Sequence, residues 1–236
     1  MTLYNGINTV VDMTAYAAPQ TTMGLDFPTE IVHLKENQII FAEGQMPQGL
    51  YLLKTGAAKV IASRPVQRGR MTSPEFVSKI VAPGEFFGFK ALLKGAPQAV
   101  TAKTLRPSEI QIFSKKAIDG ILNGPSSIMK SLLLQMVRDL ESFENNSQLH
   151  YLASVQERIA YQLVLLADKF GVSTSEGVSI SLKLSRNELA QLAGTINESL
   201  SRHLTELRDE GVIDLRGKDI VIKNRMALAE RSGNFA

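Results

Sequence analysis

A group of polar residues near the C-terminal end of the chain has the types and spacing that could do chemistry. Its members lie on one predicted helix: Glu198, Ser201, Arg202 and Thr205. The same helix has leucines at i, i+4 and i+7, namely Leu200, Leu204 and Leu207, so the polar group falls on the opposite, solvent-facing side. An arginine can donate two hydrogen bonds to guanine O6 and N7, and a carboxylate can accept one from cytosine N4. The pattern therefore predicts a surface that reads base edges in the major groove of duplex DNA.

A second short helix has to position this one, and the preceding residues predict it. Ser185 and Glu188 form a capping box, in which each side chain satisfies a backbone donor left free at a helix start. Gly194 supplies the tight turn after that helix, and the next helix begins around Thr195 to Asn197. Two short helices joined by a glycine turn predict a helix-turn-helix. An ordinary helical hairpin, in which Glu198 only caps its own helix, is the alternative.

Two β-rich runs follow the second helix. They are residues 212–215 and 220–222, and Arg216-Gly217-Lys218-Asp219 between them has turn chemistry. This predicts a hairpin wing with a basic tip directly behind the helix-turn-helix. Such an order of parts is typical of DNA-binding domains.

Bulk charge does not carry this prediction. The chain of 236 residues has a formal net charge of +3, and from residue 184 onward the basic residues equal the acidic ones in number. Phosphate attraction therefore has to come from the placement of cations on one face. The chain has no cysteine, which excludes a disulfide scaffold, a cysteine-ligated zinc or iron–sulfur site and a thiol redox switch.

No targeting or membrane signal is visible in the sequence. The first basic residue is Lys35, so the N-terminus lacks the charged region of a secretory signal. No stretch reaches the roughly 18 uninterrupted apolar residues of a membrane span. We expect a cytoplasmic protein with no membrane partner.

Residues 25–124 consist of short β-rich runs separated by turn residues. The runs are 31–34, 38–41, 49–53, 58–61, 76–81 and 110–113, and Lys54-Thr55-Gly56 is one of the predicted turns. This spacing predicts an antiparallel barrel or jelly roll, of a size that can hold one small ligand. We expect residues 1–24 to form a loosely ordered extension, and residues 63–74, with three arginines, to form a solvated loop.

A long helix is predicted over residues 125–154, starting at Pro125-Ser126-Ser127. Its apolar residues step by 3, 4 and 3, the a/d spacing of a coiled coil, and a polar residue continues the register. We interpret the set as the interface with a second copy of the chain: Leu133, Met136, Leu140, Phe143 and Ser147. Packing against the chain's own barrel is the alternative. Residues 155–236 then form the winged helix-turn-helix domain, and the fold class is α+β.

The order of barrel, long helix and winged helix-turn-helix resembles the superfamily of the cyclic-AMP receptor protein and the fumarate-nitrate regulator. The resemblance covers residues 25 to about 225. It is carried by ENQIIFAEGQMPQGLYLLKTGAAKVI (36–61), PGEFFG (83–88), QERIAYQLVLLA (156–167) and the stretch 184–213. It implies a homodimeric transcription regulator that binds a palindromic operator in double-stranded DNA, with RNA polymerase as a candidate partner. It also implies that an effector bound at the barrel reorients the two winged helices.

The second helix of the helix-turn-helix can be compared with the family position by position. Glu198, Ser201 and Arg202 match the base-reading glutamate, serine and arginine of the fumarate-nitrate branch. Asn197 stands where the cyclic-AMP branch has a further base-reading arginine. The resemblance implies a half-site like that of the former branch, with a G·C pair held by Arg202 and Glu198. The predicted DNA-contacting residues are Ser185, Arg186, Asn197, Glu198, Ser201, Arg202, Thr205, Arg216 and Lys218.

The barrel departs from the cyclic-nucleotide-binding members of the family. Phe89 replaces their ribose-binding glutamate, residues 95–102 lack their phosphate-neutralising arginine, and Phe143-Glu144 occupies the positions that contact adenine. Because a buried phosphate charge without a partner is expensive, cyclic AMP is disfavoured. The cysteines that hold the other branch's iron–sulfur cluster are absent as well. The candidate effector pocket consists of Gly84, Phe87, Gly88, Phe89, Lys90, Gln98, Ala99, Val100, Phe143 and Glu144.

These departures leave the identity of the effector open. The alternatives are another small molecule, a cyclic dinucleotide included, a protein partner, or no effector at all. An enzyme is disfavoured because His33, His150 and His203 are too scattered to supply clustered metal ligands, and no activated serine or cysteine arrangement is present. A receptor of the same fold that signals through protein contacts without specific DNA is the remaining alternative.

Overall fold

The computed structural model describes residues 29–63, 75–123 and 127–233. In chain order the elements are β1 (Thr29–Leu34), β2 (Ile39–Phe41), β3 (Gly49–Ser63), β4 (Glu75–Val81), β5 (Phe86–Phe87), α1 (Phe89–Lys94), β6 (Thr101–Ser114), α2 (Lys115–Asn123), α3 (Ser127–Leu152), α4 (Val155–Phe170), β7 (Gly171–Thr174), β8 (Gly177–Ile180), α5 (Arg186–Leu192), α6 (Asn197–Asp209), β9 (Ile213–Arg216), β10 (Asp219–Ile222) and α7 (Arg225–Arg231). The predicted α+β class is confirmed. The expectations for residues 1–24, for the arginines between 63 and 74 and for Pro125 and Ser126 lie outside the described residues.

The first six strands form one antiparallel sheet. β6 pairs with β1, β2 and β3, and β3 also pairs with β4 and β5. Its interior contains three packed rings, those of Phe41, Tyr51 and Phe87, with centroids 5.2, 5.5 and 6.0 Å apart. All three side chains are buried, and burial raises the pKa of the Tyr51 phenol. Aromatic side chains therefore fill the part of the barrel interior around Phe41, Tyr51 and Phe87.

Strand β3 corrects one expectation. The sequence predicts a turn at Lys54-Thr55-Gly56, yet β3 runs unbroken from Gly49 to Ser63. Its register against β6 shifts on both sides of Thr55. Gly56 has a φ of +98°, and a Cβ there would lie 2.1 Å from the Ser108 hydroxyl oxygen. The glycine makes a bulge inside one long strand, because the partner strand is too close for a side chain.

Two short helices that the sequence analysis does not predict close one side of the barrel. α1 and α2 pack with the first turns of α3 in an apolar cluster that includes Leu50, Phe89 and Leu132. This cluster fixes the N-terminal part of α3 to its own barrel. We refer to it as the α1–α3 cluster.

A capping box marks the boundary between the long helix and the helix that follows it. α3 stops at Leu152 and α4 starts at Val155. The Glu157 backbone N–H donates to Ser154 Oγ at 3.3 Å, and the Ser154 backbone N–H donates to Glu157 Oε2 at 2.6 Å. This capping box separates the long helix from the first helix of the C-terminal domain.

The C-terminal domain packs α4 to α7 against a small antiparallel sheet with strand order β7-β8-β10-β9. β9 and β10 form the predicted wing, and α5 and α6 form the predicted helix-turn-helix; both are confirmed. α7 is an additional helix that the sequence analysis does not predict. The apolar core continues into the barrel domain through Val77 and Ile80, so the two domains share one buried cluster.

Candidate nucleic-acid interface

The two faces of α6 differ as the leucine spacing predicts. Leu200, Leu204 and Leu207 are at most 1% exposed. The opposite face is exposed and includes Asn197, Glu198, Ser201, Arg202 and Thr205. Burial of the leucines fixes the rotation of the helix, because turning it would bring polar groups into the core and leucines into water.

The exposed side chains of α6 differ in how far they are engaged within the subunit. Glu198 makes no hydrogen bond or ion pair with any residue that the structure describes. Arg202 Nε lies 3.9 Å from Glu206 Oε1, while Glu206 Oε2 lies 2.6 Å from His203 Nδ1. The Thr205 hydroxyl donates to the Ser201 carbonyl at 3.0 Å. Glu198 and Arg202 can therefore reach a ligand at little cost, whereas Thr205 is bonded to its own helix.

The N-terminal end of α5 is occupied by its own cap. Ser185 accepts from the Glu188 backbone N–H at 3.2 Å and donates its hydroxyl to Glu188 Oε2 at 2.7 Å. Arg186 donates to the Gly217 carbonyl at 3.2 Å, and burial lowers the pKa of its guanidinium. These two predicted DNA contacts therefore position α5 and the wing within the subunit.

The wing carries two cationic side chains, Arg216 and Lys218, which differ in their ion pairs. Arg216 forms ion pairs with Glu176 and with Asp214, the latter at 3.0 Å, and the hydrogen bond to Glu176 raises the pKa of its guanidinium. Lys218 is exposed at the tip and forms no ion pair within the part of the chain that the structure describes. Lys218 is therefore the wing cation that can meet a phosphate without breaking an internal pair.

The turn of the helix-turn-helix rests on the junction of α3 and α4. Arg158 donates to the carbonyls of Ala193 and Gly194 at 3.0 and 3.3 Å. Gly194 has a φ of +61°, and a Cβ there would lie 2.3 Å from Cε1 of His150. The sequence analysis misses Arg158, because nothing local to residue 158 shows that carbonyls 35 and 36 positions later lie within its reach.

The outer side of α5 is covered by the barrel. Lys59 Nζ lies 2.6 Å from Glu188 Oε1, and the Val77 backbone N–H donates to Gln191 Oε1 at 2.9 Å. Both α5 side chains that make these contacts are polar. The helix-turn-helix is therefore held by the barrel on one side and open on the α6 side.

The ten candidate effector residues lie in different packing environments. Phe87 is in the barrel interior with Phe41 and Tyr51, whereas Phe89 packs in the α1–α3 cluster. Gln98 is buried, and its Nε2 has no hydrogen-bond partner among the described residues. The other members are exposed or half-buried: Gly84, Gly88, Lys90, Ala99, Val100, Phe143 and Glu144. Phe89 therefore packs in a different cluster from Phe87, Phe143 is 68% exposed, and the pocket as a whole stays a prediction.

The residues of the predicted α3 heptad differ in exposure. Leu133, Leu140 and Phe143 are exposed, and Ser147 is half-buried. Met136 is also half-buried, against the α1–α3 cluster, and Val137 adds an exposed apolar side chain. Since α3 covers its own barrel on one side, Met136 lies at the edge of the exposed apolar face.

No group of three or more histidine, aspartate or glutamate side chains in residues 29–63, 75–123 and 127–233 could hold a metal ion. Within the same residues, no helix is both long and apolar enough to cross a membrane.

Comparison with known proteins matches each domain separately. The cyclic nucleotide-binding domain model matches residues 31–124, and the Crp-like helix-turn-helix domain model matches residues 157–231. The CRP-like cAMP-activated global transcriptional regulator of Mycobacterium tuberculosis is 26% identical over 214 residues, 91% of this chain and 93% of that protein. The transcriptional regulator LdrP of Thermus thermophilus is 27% identical over 197 residues, 84% of this chain and 94% of that protein.

Solved structures share the fold. The c-di-GMP responsive global regulator CLP of Xanthomonas campestris is 26% identical with a TM-score of 0.64, covering 82% of this chain and 93% of that one. FixK2 from Bradyrhizobium japonicum, at 19% identity, has a TM-score of 0.71 and covers 86% of this chain and 96% of that one.

A barrel of the cyclic-nucleotide-binding type joined to a helix-turn-helix domain defines a class of transcription regulators. This chain belongs to the superfamily of the cyclic-AMP receptor protein and the fumarate-nitrate regulator.

Proposed function

We propose that two copies of this chain bind a palindromic operator, with α6 of each copy in the major groove of one half-site. The observation that carries the proposal is the free Glu198 carboxylate beside the exposed Arg202 guanidinium, on a helix whose other face is buried. In the groove Arg202 donates to guanine O6 and N7, and Glu198 accepts from cytosine N4. Asn197 and Ser201 lie on the same surface and complete the reading set.

The cations around α6 divide into two roles. Lys218 contacts a backbone phosphate from the tip of the wing, which adds affinity without sequence preference. Arg186 and Arg216 hold the wing against α5 and against Glu176, so their contribution to DNA binding is positional. Ser185 acts in the same way, through the cap of α5.

The apolar face of α3 is the observation that favours a dimer of this chain. Leu133, Val137, Leu140 and Phe143 form an exposed stripe next to the part of α3 that is fixed on the barrel. Two such stripes bury each other's apolar surface when the helices pack side by side. The resulting two-fold axis places the half-sites about one helical turn apart, roughly 10–10.5 bp between centres. RNA polymerase is a candidate partner of the DNA-bound dimer.

We propose that the barrel responds to a small effector other than cyclic AMP. Phe89 stands where a nucleotide-binding member has glutamate and is turned into the α1–α3 cluster, and no cation is present in residues 95–102. The buried Gln98 Nε2 is a donor that a polar effector atom can satisfy. The c-di-GMP responsiveness named for the Xanthomonas relative makes cyclic dinucleotides the first compounds to test. We propose no catalytic activity for this chain.

Selection of bound duplexes from random DNA tests the proposal. The purified protein is expected to enrich an inverted repeat with a G·C pair in each half-site and the spacing given above. A protein that signals only through protein contacts would enrich no sequence, and a monomer at every concentration would also contradict the proposal. Calorimetric titration with cyclic mononucleotides and dinucleotides tests the effector, and tight binding of cyclic AMP would overturn its assignment.

A further inference from the structure

Ile196 occupies the N-cap of α6, and it is an unusual residue for that position. Its backbone is extended, with φ −102° and ψ 160°, and its side chain makes no capping hydrogen bond. The N-caps of α4, α5 and α7 are Ser154, Ser185 and Asn224, and each of them accepts a backbone hydrogen bond. Polar residues stabilise this position, whereas isoleucine leaves a donor of the first turn without a side-chain partner.

Packing within the subunit does not account for the isoleucine. The residue lies four positions before the fully buried Leu200, so a helical backbone would turn it toward the core. The extended N-cap backbone turns it outward instead, and 66% of it is exposed. A single exposed apolar side chain is ordinary on a protein surface. This one, however, lies at the end of the helix that faces DNA, next to the reading residues Asn197 and Glu198.

The major groove offers one apolar group to such a side chain. N-terminal residues of a recognition helix contact base edges, and the thymine C5 methyl is the apolar feature that those edges present. An aliphatic side chain can bury that methyl without leaving a polar base atom unsatisfied. We propose that Ile196 is a specificity-determining residue that contacts a thymine methyl in each half-site. This inference rests on the proposed DNA-reading function.

Replacing thymine by deoxyuridine tests the contact, because deoxyuridine keeps the base pair and removes only the methyl. In the selected operator each thymine is replaced in turn, symmetrically in both half-sites, and affinity is measured by fluorescence anisotropy. Loss of one buried methyl is expected to weaken binding about fourfold per half-site, at one position only. Uniform tolerance of deoxyuridine alongside specific binding would overturn this inference and leave the proposed function intact.

The variant Ile196→Ser assigns the effect to this side chain. Serine is a favourable N-cap, so the variant is expected to fold, and it should bind the thymine and deoxyuridine operators equally. Met226→Ser, an exposed apolar residue of α7, is the matched control and should retain the difference. A difference that persists in Ile196→Ser would overturn the inference. If no duplex binds above random DNA, the proposed function fails and this inference fails with it.

Discussion

The long helix α3 and the recognition helix α6 each have a face that the described part of the chain leaves exposed, and the chemistry of the two faces is opposite. On α3 the exposed side chains include Leu140 and Phe143; on α6 they include Glu198 and Arg202. Covering an apolar face with a second apolar surface lowers the free energy, whereas a polar face is already solvated by water. The polar face binds only where complementary donors and acceptors replace its water. The two faces therefore fit the two proposed roles, self-association for α3 and reading of DNA for α6.

Helix α5 combines features of the two faces, because its outer side is polar but is covered by another part of the chain. Its polar outer side is covered by the barrel through Lys59 and Val77, which contact Glu188 and Gln191. The helix that supports α6 is thus in direct contact with the barrel. We propose that a change in the barrel reaches the recognition helix through this contact.

The largest expected effect comes from breaking the apolar face with Leu140→Glu. A carboxylate in the helix pair has no partner, so the dimer should dissociate, and a monomer that reaches one half-site should lose at least about 100-fold in operator affinity. Sedimentation velocity and anisotropy measure the two effects. The control is Glu141→Gln, which replaces one polar side chain by another at an exposed position outside the apolar face, and this variant should remain dimeric. A dimer that survives Leu140→Glu would place self-association elsewhere.

Breaking the polar face is expected to have the next largest effect. Arg202→Ala should reduce specific binding by about 1–3 kcal/mol and relax discrimination at the G·C pair of each half-site. Arg208→Ala is the matched control, because Arg208 lies on the same helix and is paired with Asp209 at 2.8 Å. Titration with base-substituted operators measures the discrimination. Equal discrimination by Arg202→Ala and the wild type would remove this guanidinium from the reading set.

The covered face of α5 can be tested with Glu188→Gln, which keeps a capping side chain and removes the charge that faces Lys59. Burial by itself would raise the pKa of Glu188, but hydrogen bonds from Lys59 and Ser185 outweigh it and hold the pKa below its ordinary value of 4.5. A lowered folded-state pKa contributes stability above the unfolded-state pKa. We expect the wild type to be more stable by about 1 kcal/mol at neutral pH.

This stability difference should disappear in acid. It is lost as the pH falls below 4.5 and through the lower folded-state pKa, where Glu188 becomes protonated. Urea unfolding of both proteins at a series of pH values measures it. A difference that is the same at every pH would mean that Glu188 acts only through its cap.

The smallest expected effect concerns the wing. Lys218→Ala should weaken binding to all duplexes about equally and reduce the slope of log affinity against log salt concentration by about 1. Anisotropy at several salt concentrations measures this slope. Lys115→Ala, an exposed lysine on α2 of the barrel domain, should leave it unchanged. A loss of sequence preference in Lys218→Ala would show that the wing reads bases as well.

The recognition unit could be predicted from the sequence because its determinants are local. The Ser185–Glu188 cap, the Gly194 turn and the spacing of Leu200 and Leu204 each depend on residues within one or two helical turns. The capping box of Ser154 and Glu157 is equally local, and it was available to divide the long helix from the C-terminal domain. Local hydrogen bonds and helical periodicity do not require knowledge of the rest of the fold.

The sequence by itself thus determined the fold class, the faces of α6 and the existence of an apolar face on α3. Only the tertiary structure decided that Val137 joins this face while Met136 is half-buried, that Phe89 packs in the α1–α3 cluster, and that Gly56 lies within a strand without ending it. Each of these outcomes depends on a neighbour far away in sequence. Periodicity states that a side chain must be buried or exposed, whereas packing decides which surface buries it.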